Sequence, residues 1–156
     1  MLLARDEQQV ILHDSYDVLP FEVKTIKIER IFADKILAAE FYYQRQMLFD
    51  GAKHLYDLTL MMKTERISTL LTRRDKFHKM LECKRREEQN RIGSDLANKS
   101  FADFLLFKAF ETDAKLQVTF AEMQKVYIFN DADIIPFSEV IKQMDNLYTI
   151  MHGLDS

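Results

Sequence analysis

The sequence predicts a mainly α fold: short N-terminal strands followed by a helical bundle. Three observations carry that expectation. Glycine and proline are scarce, with 3 and 2 in 156 residues, and an all-β chain needs a turn residue every few positions. From Glu29 onward the apolar residues recur at helical spacing. Before Glu29 the pattern differs. Residues 21–28 (FEVKTIKI) interleave β-branched Val23, Thr25, Ile26 and Ile28 with charge, and residues 8–13 (QQVILH) form a short apolar run ahead of a polar turn. Both read as strands. Two strands alone are marginal in water and need a cover. The expected division is therefore a strand segment over 1–28 and a helical domain over 29–156.

The first helix is expected from Glu29 to about Leu48, with Ile31, Phe32, Ile36, Ala39 and Tyr43 inward and Asp50-Gly51 as its stop. A second runs from about Lys53 to Met62, with Leu55, Leu58 and Met62 on one face. A short segment, Glu65–Leu71, precedes a long helix over about 73–91. Gly93 ends that helix and Ser94 can cap the next segment. Residues 95–112 are dense in phenylalanine at near-helical spacing and leave their local structure open. A helix over Thr112–Tyr127 carries Leu116, Phe120 and Met123. After a loop at Asn130–Pro136, Ser138 caps a last helix to about Met151, with Ile141, Met144, Leu147 and Tyr148 inward.

The net charge of −3 excludes a wholesale polyanion binder, yet the charge is unevenly placed. Residues 63–91 hold 10 basic and 5 acidic side chains between two acidic flanks. A mixed-charge helix of this kind is ordinarily a solvated face laced with i,i+4 pairs. The competing reading is a phosphate-backbone contact, which makes the 73–91 helix the candidate surface for RNA. The single cysteine, Cys83, excludes an intrachain disulfide and fits a reducing compartment, as a small buried or half-buried thiol. No apolar run approaches the about 20 residues of a membrane span, and no signal-peptide pattern opens the chain. A cytoplasmic protein without a membrane partner is the expectation. The phenylalanines at 101–110 read first as core between helices and second as an exposed docking face.

No phosphate-binding glycine loop, C-x-x-C, H-E-x-x-H or G-x-S-x-G is present. His13, His54, His78 and His152 are scattered, and no zinc spacing emerges. His54 and Asp57 are three apart on one helix face, a spacing that fits a shared metal less well than a structural contact. Two charged residues stand out by context. Lys35 lies beside an apolar stripe in I-F-A-D-K-I-L-A-A-E-F, and Asp57 sits between Leu55 and Leu58. Two consecutive helices can bring these together in one cleft, where a lysine holds phosphate as a compact point charge. An aspartate beside it can orient that lysine, help hold a metal, or accept a proton.

The stretch V-K-T-I-K-I-E-R-I-F-A-D-K-I-L-A-A-E-F (23–41), followed by K-H-L-Y-D-L (53–58), resembles the AbiEii/AbiGii nucleotidyltransferase toxins. That family carries A-x-K-[IL]-x-A on one helix and R-[DH]-x-Y-D-L on the next. Ala33, Lys35 and Ala38 match the first pattern. His54, Tyr56, Asp57 and Leu58 match the second, with Lys53 in place of arginine. The runs 85–93 and 134–142 are weaker echoes.

The resemblance implies nucleotidyl transfer from a nucleoside triphosphate with Mg²⁺, onto the tRNA 3′ end in some members, in toxin–antitoxin or phage-defence pairs. It makes Lys35 and Asp57 the catalytic pair, and Lys35 the residue that binds the triphosphate. The N-terminal strands become the remnant of a catalytic sheet. One departure is large. The family's G-S-x-x-D-x-D precedes the lysine, and no such motif precedes Lys35 here. Gly93-Ser94-Asp95 comes too late, and Asp131-Ala132-Asp133 reads as turn chemistry. No metal ligands are therefore assigned. The chain is expected to be the C-terminal, mostly helical part of such an enzyme, inactive alone, with the absent half or a cognate antitoxin as partner. The alternative is a non-enzymatic helical interaction module, antitoxin-like or regulatory, that docks through the phenylalanine-rich segment.

Overall fold

The computed structural model describes residues 25–92 and 95–154. Within them lie seven α-helices, three short 3-10 turns and no strand. The helices are α1 (Ile28–Gln44), α2 (Leu48–Met61), α3 (Glu65–Thr72), α4 (Arg74–Ile92), α5 (Leu105–Ala109), α6 (Ala114–Tyr127) and α7 (Phe137–His152).

The N-terminal strands are not supported. The run 8–13 and residues 21–24 lie outside the described residues. Residues 25–27 are irregular, and Ile28 already belongs to α1. A β-branched stretch is also compatible with a helix when tertiary packing claims one face of it. Gly93 and Ser94 likewise fall outside the described residues.

Helices α1 and α2 form the central hairpin. Gly51 lies against Tyr42, and Asp57 lies against Lys35, so the helices run antiparallel. The turn falls at Arg45–Met47, where Gln46 takes a left-handed φ of 57°. Asp50-Gly51 is therefore not a helix stop. It lies in the first turn of α2, where a Cβ on Gly51 would meet the Ala39 carbonyl and Tyr42 Cβ at 3.9 Å. That is ordinary contact, so this position serves close helix approach rather than termination.

The inward face of α1 is Phe32, Ala33, Ile36, Leu37, Ala39 and Tyr43. Ile31, expected inside, is exposed. Leu55, Leu58 and Met62 are buried as the periodicity requires. Helix α4 crosses α1, with the Phe32 and Phe77 rings 6.1 Å apart. Helix α6 covers α2, with Tyr56 against Phe120 and Phe49 against Tyr127.

The open region 95–112 resolves into two 3-10 turns, Asp95–Asn98 and Phe101–Asp103, then the five-residue α5. Phe101, Phe104, Phe107 and Phe110 are all buried, with successive ring contacts of 5.6 and 6.3 Å along Phe101, Phe104 and Phe107. Only Leu105 of this segment is an exposed large apolar residue, so the docking-face alternative loses its surface. The cap of the last helix also differs from expectation. Pro136, not Ser138, holds the N-cap position of α7, because its fixed φ suits the chain entering a helix. Val140, Met144, Leu147 and Met151 form the buried stripe, while Ile141 and Tyr148 are only partly buried.

Candidate nucleotide-facing site

Lys35 and Asp57 meet across the α1–α2 hairpin, with Nζ 2.6 Å from Oδ2. The side chains are 25% and 40% exposed, respectively, so the pair is open to solvent along one side. It was legible because residue 35 of α1 and residue 57 of α2 are both displaced from the buried stripes by a fraction of a turn. Ile36 and Leu58, their immediate neighbours, are fully buried and fix the two backbones.

Beside the pair sits His54, one turn before Asp57. Its ring stacks on Tyr42, with centroids 5.4 Å apart and planes at 18°. Burial, followed by the nearby Lys35 charge, holds its pKa below the ordinary 6.5, which favours the neutral ring. Its Nδ1 is buried without a hydrogen-bond partner among the described residues. Among the described residues no group of three ligating side chains converges at His54 and Asp57.

The other motif residues do structural work. The Tyr56 hydroxyl donates to the Asp133 carbonyl at 2.9 Å and ties α2 to the loop before α7. Lys53 reaches Asp50 at 2.9 Å and lies 4.8 Å over the Tyr127 ring. The Asp131-Ala132-Asp133 sequence is a 3-10 turn capped by Asn130, as its residue types suggest.

On the far side of His54 a cleft of about 170 Å3 opens between α1, α4 and the 95–98 turn. Sequence reasoning missed it, because its walls come from four separate segments. Asp34 and Glu88 stand at its rim, bridged by Lys84 at 2.8 and 3.2 Å, and Arg91 pairs with Glu88 at 2.9 Å.

The basic helix is less available than its composition implies. Arg85 is buried, with its guanidinium against the Leu96 and Lys99 carbonyls, Glu82 and the Phe101 ring. Lys84 and Arg91 are paired with carboxylates, whereas Arg73, Lys76, Lys79 and Arg86 have no ion pair among the described residues. Cys83 is exposed rather than buried and approaches Glu87 at 3.8 Å. No helix among the described residues is long and apolar enough to cross a membrane.

The described residues thus form a helical hairpin that presents one lysine–aspartate pair beside an aromatic-lined cleft. The model of the nucleotidyl transferase AbiEii toxin family, of type IV toxin–antitoxin systems, matches residues 3–145, and the chain belongs to that family. No curated protein and no solved structure matches it. Membership implies an antitoxin partner and chemistry involving Mg²⁺ and a nucleoside triphosphate. Among the described residues Lys35 offers an ammonium that a triphosphate could meet, and no paired carboxylates for two divalent ions stand beside it. Among the described residues Asp57 is the sole carboxylate paired with Lys35, and no second carboxylate joins it to form a ligand set.

Proposed function

We propose that this chain supplies the triphosphate-holding side of an AbiEii-type nucleotidyltransferase, with Lys35 and Asp57 as its reacting pair. The observation that supports this reading is the 2.6 Å contact between them on an open face. A compact ammonium tethered by one half-exposed carboxylate is poised rather than locked. A triphosphate carries more charge than Asp57 and displaces it from Nζ. The freed carboxylate then accepts the proton of an attacking hydroxyl. That oxygen bonds to the α-phosphorus, and pyrophosphate leaves with the electrons of the broken P–O bond. Asp57 and Lys35 touch the reactants in this scheme, and His54 holds a position beside them.

The acceptor in this proposal is a tRNA 3′ end. Arg73, Lys76 and Lys79, basic side chains in and beside α4 that form no ion pair among the described residues, contact its phosphates. The paired carboxylates that bind metal come from a segment bearing G-S-x-x-D-x-D, which these 156 residues do not carry ahead of Lys35, so these residues alone are inactive. The direct assay mixes radiolabelled nucleoside triphosphate, Mg²⁺ and tRNA with these residues, with and without a polypeptide bearing that motif. Transfer only in the mixture is expected, and transfer by these 156 residues alone overturns the requirement for that segment.

A further inference from the structure

We infer that the cleft between α1, α4 and the 95–98 turn is the seat of the nucleobase, with the Tyr42–His54 stack as one wall. This deepens the proposed function and rests on it for the position of the triphosphate. Four features of the cleft lead there.

Its size admits one ring system and little else. Cavities near 150 Å3 hold a six-membered aromatic ring, and whole drug-sized ligands take about 300 Å3 or more. The cleft measures about 170 Å3. Leu37, Ala38, Phe41 and Leu96 give it an apolar lining. Its aromatic wall is preassembled, with Tyr42 stacked on His54 and Phe41 edge-on to Tyr42 at 5.5 Å. Stacking on an aromatic surface tolerates any base, because every base has a π-face.

Two carboxylates and two cations meet at the rim, since Glu88 is buried against Lys84 and Arg91. Asp34, whose contact among the described residues is with Lys84 alone, is the open acceptor. Such an acceptor suits the amino and ring N–H groups of a base. The phosphates are left outside the cleft, on the His54 side, where Lys35 and Asp57 meet. His54 is thus the shared wall: its ring faces Tyr42, and Lys35 is the foremost charge acting on it.

The test separates base from phosphate. The full chain is titrated calorimetrically with each of the four nucleoside triphosphates and with inorganic tripolyphosphate. Ala38→Leu fills the cleft without touching Lys35. It should weaken the tightest nucleoside triphosphate at least tenfold and change tripolyphosphate less than twofold. Lys35→Ala should weaken both. If Ala38→Leu lowers the two ligands equally, or neither, the base seat is wrong. If tripolyphosphate ignores Lys35→Ala while Ala38→Leu still weakens the nucleotide, the cleft stands and the triphosphate assignment falls. Absence of nucleotide binding to the unmodified chain overturns both.

A measurement on the unmodified chain guards against a misfolded variant. Nuclear Overhauser contacts from base protons to the Tyr42 and His54 rings are expected. Base contacts only to other rings, such as those of Tyr127 or Phe129, overturn the assignment.

Discussion

Two charged side chains of helix α1, Glu40 and Lys35, form polar junctions with other parts of the chain, and the two junctions are built differently. Glu40 is fully buried. Its carboxylate accepts from the Leu105 and Leu106 amides, both at 2.8 Å, and from the Gln44 side chain at 2.6 Å. It thereby caps α5 and anchors the phenylalanine-rich segment. Lys35, five residues earlier, pairs with Asp57 and has an open side. A buried charge must have its hydrogen-bonding capacity filled, or the fold loses several kcal/mol. A half-exposed pair contributes little to stability, so its atoms are free to exchange partners. The contrast separates a carboxylate that holds the fold from one that can take part in chemistry.

Mutations can break that contrast from either side. The largest effect is expected where the Glu40 junction meets the core. Phe104→Ala should lower unfolding free energy by about 3–5 kcal/mol in urea titration, because the ring is fully buried among Phe101 and Phe107. Glu40→Gln keeps the volume but turns an amide donor toward the α5 amides. A loss of about 1–3 kcal/mol is expected from the unsatisfied backbone groups.

Acid sensitivity probes the Lys35 side. His54 has a depressed folded pKa, so the unfolded chain binds the extra proton first as pH falls. Its contribution is complete above about 6.5, the ordinary histidine value, and declines below it. The melting temperature should therefore drop more steeply through that range in the unmodified chain than in His54→Leu.

The alkaline limb runs in the opposite direction. Tyr43 donates to Asp113 at 2.8 Å, and burial, then Asp113, pushes its pKa up to about 12. Its contribution is complete below pH 10 and is lost as pH rises from 10 toward 12, a loss that Tyr43→Phe should abolish. The smallest change is expected at the open pair. Asp57→Asn should shift stability by less than about 1 kcal/mol, as for other half-exposed ion pairs.

Most of the helical framework was legible in the sequence. The stripes Leu55–Leu58–Met62 and Leu116–Phe120–Met123 follow helical spacing because each faces one core. The α1–α2 turn was not, since Arg45 and Gln46 carry no turn signal and the left-handed Gln46 is imposed by the closing hairpin. Gly51 misled for the same reason: glycine serves close packing as readily as helix termination. Segment 95–112 stayed open because its local structure depends on Glu40 and Arg85, both distant in sequence. Lys35 and Asp57 stood out as charges beside apolar stripes. The cleft did not, because Asp34, His54, Glu88 and Leu96 acquire meaning only when folding brings them together.

The central claim is that the Lys35–Asp57 pair engages phosphate rather than serving the fold. Titration of Lys35→Ala with inorganic tripolyphosphate, alongside its melting curve, tests that directly. The account predicts at least a tenfold loss of affinity, about 1.4 kcal/mol, with the melting temperature nearly unchanged. Unaltered affinity, or a collapse of the fold, would contradict it.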